Sequence, residues 1–65
     1  MPLSLDEFRR LEYLIGMNHS IPLSMPEGDE LRMLLAHEDA SASLMEWPDL
    51  VQFGEVLVRN RGFVR

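Results

Sequence analysis

The chain has 65 residues, 46% of them hydrophobic and none of them cysteine, and its eleven acidic and six basic residues give a net charge of −5. This length allows a single domain, residues 1–65, and the lack of cysteine excludes disulfides, thiolate metal sites and cysteine nucleophiles. The six basic residues are dispersed arginines, so direct binding to nucleic acid or to an anionic membrane is not expected. Neither a basic leader nor a long apolar stretch is visible, which favours a cytoplasmic location.

The first predicted helix spans residues 5–18. Ser4 and Glu7 have the spacing of a capping box, in which each side chain bonds the backbone N–H of the other residue. Apolar residues then recur at intervals of three and four, as in an amphipathic helix: Leu5, Phe8, Leu11 and Ile15, with Leu14 beside them.

The second predicted helix spans residues 25–38. Ser24 and Glu27 repeat the capping pattern, and Pro26 suits the first turn, where its missing N–H is not needed. The predicted inner face of this helix is a modest leucine stripe: Leu31, Leu34 and Leu35.

The third predicted helix spans residues 48–60 and begins at Pro48, after a possible short turn at 43–47. Leu50, Phe53 and Leu57 are expected to supply its central packing. The valine-rich residues 55–59 leave strand open as an alternative, but a single strand would have no partner in this chain. Beyond the helix, Phe63 and Val64 are expected to fold back onto the core.

These elements predict a compact all-α three-helix bundle. The apolar residues of the third helix cover well over half of its circumference, more than two short neighbours can bury. Self-association as a homodimer is therefore expected to complete the fold.

No catalytic, cofactor-binding or metal-binding residue is predicted. The tripeptide His37-Glu38-Asp39 carries metal-ligand side chains, but adjacent helical residues diverge by about 100° and do not converge on one ion. The serines fall at predicted caps and turns, where their hydroxyls bond the backbone. Neither enzymatic activity nor a small-molecule substrate is expected.

A protein-binding face is predicted from methionine, aromatic and valine residues that lie off the core stripes or beside the proline breaks. Such residues are common in partner grooves. For Trp47, Met45 and Val51, core packing and interface remain equally open interpretations. The predicted face comprises Trp47, Val51, Val58, Met45, Tyr13 and Met17.

The charges are distributed unevenly along the chain. Residues 27–55 contain eight acids and one arginine, whereas the last ten residues contain three arginines and no acid. Such polarity can steer a partner that has a basic surface. The predicted steering surface comprises Glu27, Asp29, Glu30, Glu38 and Asp39.

The sequence therefore favours a small acidic module that binds a protein partner and acts as a regulator, adaptor or inhibitor. The alternative is an acidic mimic of nucleic acid that inhibits a nucleic-acid-binding protein. A helix-turn-helix DNA-binding regulator is less favoured, because the third helix offers only Gln52 and Arg59 for contacts with bases.

Overall fold

The computed structural model describes residues 3–62, which form a small all-α three-helix bundle. In chain order the elements are helix α1 (Leu5–Ser20), helix α2 (Met25–Glu38), a 3₁₀ segment (Ala40–Leu44) and helix α3 (Trp47–Gly62). Residues 55–59 are helical, which decides between the two interpretations of that stretch. The expected return of Phe63 and Val64 to the core lies outside the described residues.

Both predicted capping boxes are present, and they fix where α1 and α2 begin. The Ser4 N–H donates to Glu7 Oε1 at 2.9 Å, and Ser4 Oγ accepts from the Glu7 N–H at 3.2 Å. The Ser24 N–H donates to Glu27 Oε1 at 3.0 Å, and Ser24 Oγ accepts from the Glu27 N–H at 3.4 Å. Each box satisfies backbone donors that the first helical turn leaves without a partner.

The core is built mainly from the facing sides of α1 and α2. Leu5, which its spacing assigns to the inner stripe, is 66% exposed because it is the first residue of α1. Of the predicted packing residues in α3, Leu50 is fully buried, while Phe53 and Leu57 are half-buried against the core. The buried hydrophobic residues are Leu11, Leu14, Ile15, Leu31, Leu34, Leu35, Ala42 and Leu50.

Contacts at the two ends of α2 define the directions of its neighbours. Glu7, near the start of α1, meets His37 near the end of α2, with 3.4 Å between the carboxylate and Nδ1, so α1 is antiparallel to α2. Trp47, the first residue of α3, lies against the first turns of α2. Arg61, near the end of α3, pairs with Glu38, the last residue of α2, with 2.6 Å between Nη2 and Oε2. Helix α3 therefore runs in the same direction as α2.

The chain between α2 and α3 must consequently return along α2, and the 3₁₀ segment performs this return. Its N-cap is Asp39, whose carboxylate accepts hydrogen bonds from the Ser41 N–H at 3.0 Å and the Ser41 hydroxyl at 2.9 Å. The short turn therefore lies at Ala40–Leu44 rather than at 43–47. Helix α3 accordingly begins at Trp47, one residue before Pro48.

Gly54 allows α3 to approach both other helices closely. A methyl group at this position would lie 2.6 Å from Ile15 Cδ1 and 3.4 Å from Leu35 Cδ1. Because Ile15 is itself only 5% exposed, its side chain has little room to move aside. A side chain at position 54 would therefore crowd the point where the three helices meet.

We predict that Gly54→Ala is less stable than Gly16→Ala by about 1–3 kcal/mol, the usual cost of forcing extra carbon into a packed core. Both substitutions gain about 1 kcal/mol of helix propensity, and a methyl group at Gly16 meets nothing within 4 Å. The difference in the free energy of unfolding, measured in urea by circular dichroism, therefore isolates the crowding. Equal stabilities would mean that Ile15 moves aside without cost and that Gly54 imposes no constraint.

Candidate protein-binding site

The six residues of the predicted binding face occupy separate parts of the bundle. Trp47 is 39% exposed beside the first turns of α2, and Tyr13 is 57% exposed, with its ring centre 5.2 Å from the guanidinium carbon of Arg10. Val58 lies in a different groove, beside Ile15. The other three are half-buried: Met17, Met45 and Val51. The structure therefore does not bring the six residues together into one groove, and we take Trp47 as the centre of the candidate site.

The groove at Trp47, here named the Trp47 groove, has a volume of about 270 Å³. Its floor is Gly28, where a methyl group would meet the indole ring at 3.4 Å. Met25, at the start of α2, is 82% exposed beside it. The lining residues are Leu23, Ser24, Met25, Gly28, Asp29, Arg32 and Trp47.

Three of these residues carry a role that the sequence does not assign: Leu23, Gly28 and Arg32. Met25 is one of the apolar residues beside the proline breaks but is not among the six residues of the predicted face. Gly28 offers a local signal, because glycine within a helix is less stable than alanine by about 1 kcal/mol. Such a glycine often marks a close neighbour, which here is the indole ring. Arg32 offers no comparable signal, since its partners come much later in the chain.

Arg32 holds the return segment against α2. Its Nη1 donates to the carbonyl oxygen of Met45 at 2.7 Å, to that of Ala42 at 3.3 Å and, at 3.5 Å, to that of Ser43. These carbonyls belong to the end of the 3₁₀ segment and the residue that follows it, and the Ala42 carbonyl also accepts from the Met45 N–H at 3.2 Å. By fixing Met45, Arg32 also fixes the start of α3 and hence the position of Trp47.

Most of the predicted acidic steering surface is engaged within the molecule. Glu30 accepts two hydrogen bonds from Arg10, at 2.8 and 2.9 Å, and Glu38 accepts two from Arg61, at 2.8 and 2.6 Å. The hydrogen bond from Arg10 lowers the pKa of Glu30 below its usual range. These two carboxylates are therefore neutralised by neighbouring guanidinium groups.

Two further acids of that surface act as caps. Hydrogen bonds from the backbone and then the side chain of Ser24 lower the pKa of Glu27. Those from the backbone and side chain of Ser41 lower the pKa of Asp39 in the same way. Asp29 differs from the other four, because it makes no side-chain hydrogen bond or ion pair with any residue from 3 to 62.

A second groove, of about 230 Å³, lies between α1 and α3. It contains a close contact between His19 Nε2 and Glu55 Oε2, 3.1 Å apart, and both side chains are substantially exposed. A histidine–carboxylate pair can support general-base chemistry when a nucleophile lies beside it. The groove is lined by Ile15, His19, Glu55, Val58 and Arg59. None of them provides a hydroxyl or thiol group, so we assign the pair the role of joining α1 to α3.

Other classes of site find no support in the described part of the chain. Among residues 3–62, no three histidine, aspartate or glutamate side chains come together as metal ligands, and no helix has the length and apolar content that crossing a bilayer requires. No protein-family model, curated protein or solved structure matches the chain. Function is therefore inferred from the geometry of the Trp47 groove.

The capping carboxylates make stability depend on pH. The pKa of Glu27 lies below its usual 4.5 in the folded state, so its stabilising effect is complete above that pH and is lost as the pH falls through the lowered value. The pKa of Glu7 is lowered in the same way, mainly by the backbone and then the side chain of Ser4. We predict that the free energy of unfolding, measured in urea, declines as the pH falls below about 4.5.

Ser24→Ala should make this decline shallower and should lower stability at neutral pH, because Glu27 then loses its hydroxyl partner. Ser20→Ala is the matched control, since Ser20 is an exposed serine at the last residue of α1. An identical pH dependence in wild type and Ser24→Ala would contradict the assignment of the acid sensitivity to the caps.

Proposed function

We propose that this chain is a small protein-binding module, a regulator, adaptor or inhibitor, that holds its partner in the Trp47 groove. The observation that carries the proposal is the concave arrangement of Trp47 and Met25 around the Gly28 floor. Large aromatic and methionine side chains are the residues on which protein interfaces concentrate their binding energy.

The exposure of these side chains supports the same proposal. Met25 is 82% exposed and Trp47 is 39% exposed, so much of their apolar surface is in water. Covering a methionine side chain of this kind contributes on the order of 1.5–3 kcal/mol. The flexible thioether of Met25 can also adapt to the shape of a partner.

The groove is held in shape before any partner binds. Gly28 belongs to the second turn of α2, Trp47 begins α3, and Arg32 fixes the segment that connects the two helices. Binding therefore requires little ordering of the backbone, which reduces the entropy lost on association. The predicted homodimer remains part of the proposal, with Val51 and Val58 of α3 at its interface.

The second candidate function is an acidic mimic of nucleic acid. It has less support, because several of the carboxylates are already paired within the molecule. A mimic of the phosphate array requires a row of free carboxylates, whereas Glu30 and Glu38 each face a guanidinium group. The extent of salt dependence distinguishes the two functions: a complex held mainly by apolar contacts, with one or two exposed ion pairs at its edge, keeps most of its affinity at high ionic strength, whereas a phosphate mimic loses affinity steeply.

We predict that a partner captured by the immobilised protein is lost when Met25 or Trp47 is replaced by serine. Each substitution removes apolar surface from the groove and should weaken binding of the purified partner roughly tenfold or more, as expected for central interface residues. Quantitative mass spectrometry identifies the captured protein, and titration calorimetry then measures its affinity for each variant.

Leu44→Ser is the matched control, because Leu44 is 87% exposed in the 3₁₀ segment and does not line the groove. This variant should retain the partner with unchanged affinity. Met25→Ser tests the proposal even if Trp47→Ser disturbs the packing on Gly28. A partner that binds Met25→Ser as tightly as it binds Leu44→Ser would exclude the Trp47 groove as the binding site.

A further inference from the structure

Two carboxylates that have no partner among residues 3–62 lie in the Trp47 groove or next to Trp47 in the chain. Of the eleven acids in the chain, six make contacts with polar or basic groups of the described part: Glu7, Glu27, Glu30, Glu38, Asp39 and Glu55. Of the other five, Asp29 lines the groove and Glu46 directly precedes Trp47. Asp49 lies two residues beyond Trp47, a spacing that turns its side chain to a different side of α3.

Asp29 and Glu46 are both exposed, so a partner can reach them. The groove thus combines an aromatic ring, an adaptable methionine and negative charge at one end of the bundle.

The positive charge in the groove differs from these acids, because it already has partners within the molecule. Arg32 is the one cation among the lining residues, and its Nη1 is directed at the carbonyl oxygens of Ala42 and Met45. Asp29 in the groove and Glu46 beside Trp47 are free of such bonds, whereas the single guanidinium group already binds backbone carbonyls. The charge that complements this surface is positive.

The size of the groove indicates what kind of ligand carries that charge. Its volume of about 270 Å³ is below the roughly 300–1,000 Å³ that is typical of small-molecule pockets. It has space for one or two side chains of an approaching chain. A cation beside an indole ring and a carboxylate gains both cation–π attraction and an ion pair.

We propose that the occupant of the Trp47 groove is a segment of a partner protein in which arginine or lysine lies next to large apolar side chains. The apolar side chains pack against Met25 and Trp47, and the flanking cations meet Asp29 and Glu46. This inference rests on the proposed protein-binding function and adds the chemistry of the partner to it.

The test uses the full chain labelled with ¹⁵N and three blocked tetrapeptides, titrated separately. The first contains two leucines flanked by arginines, the second contains the same leucines flanked by glutamates, and the third contains two serines flanked by arginines. Trp47 is the single tryptophan of the sequence, so its indole N–H gives one assigned signal within the groove. The backbone N–H of Gly28 gives a second signal at the floor.

Only the arginine–leucine peptide should move both signals in a saturable way, with a dissociation constant in about the millimolar range expected for a short flexible ligand. Asp29→Asn should weaken this binding about three- to fivefold, as removal of one exposed ion pair does. Asp6→Asn is the matched control, since Asp6 is an exposed acid at the start of α1, beside the opposite end of α2.

Four results would overturn the inference. Equal binding of the glutamate–leucine peptide would show that the groove takes apolar segments without regard to charge, and the proposed function would stand. Equal effects of Asp6→Asn and Asp29→Asn would show non-specific attraction. Signals that move with protein concentration alone would assign the groove to a second copy of this chain. No shift with any peptide would exclude the proposed segment as the occupant. The protein-binding function would still be tested separately, by whether capture of a partner depends on Met25.

Discussion

The hydrogen bond from Arg32 to the Met45 carbonyl, 2.7 Å long, is the interaction on which the arrangement of the other elements depends. It joins α2 to the end of the return segment and gives a donor to the Met45 carbonyl, which lies just beyond the last residue of the 3₁₀ segment. A guanidinium suits this role because it is always charged and presents several donors in a fixed plane. The consequence is geometrical: α3 begins beside the first turns of α2, runs in the same direction, and places Trp47 on Gly28.

The same arrangement divides the negative charge of the molecule into two groups. Acids such as Glu30 and Glu38 join helices through arginines, and Glu27 caps a helix, so their charges serve the fold. Asp29 and Glu46, beside Trp47, make no hydrogen bond or ion pair of this kind with the described residues. A net charge of −5 spread over the whole surface would indicate only solubility. Charge left unpaired beside an exposed aromatic ring favours recognition of a cationic segment, which is why we attach function to this end of the bundle.

Local sequence signals predict most of the fold. Ser4 and Ser24 mark the helix starts correctly because a cap and its partner lie three residues apart, and the leucines of α2 point inward as their spacing requires. The groove is harder to predict, since the contact of Trp47 with Gly28 and the bonds of Arg32 join residues that only the folded chain brings together. Periodicity also cannot show that Glu30 is neutralised by Arg10 while its neighbour Asp29 is not. Trp47 and Asp29 are the two residues through which the predicted apolar face and the predicted acidic surface reach the Trp47 groove.

Arg32 places the indole ring of Trp47 on Gly28 and so forms the Trp47 groove. The most direct measurement is the nuclear Overhauser effect between the Gly28 α-protons and the ring protons on Cη2 and Cζ3 of Trp47 in the free protein, because these ring carbons are the ones nearest to Gly28. We expect strong Overhauser effects in the wild-type protein. In Arg32→Gln, we expect weaker Overhauser effects at a similar helix content. Absence of these effects from the wild-type protein, or their full persistence in Arg32→Gln, would contradict this role of Arg32.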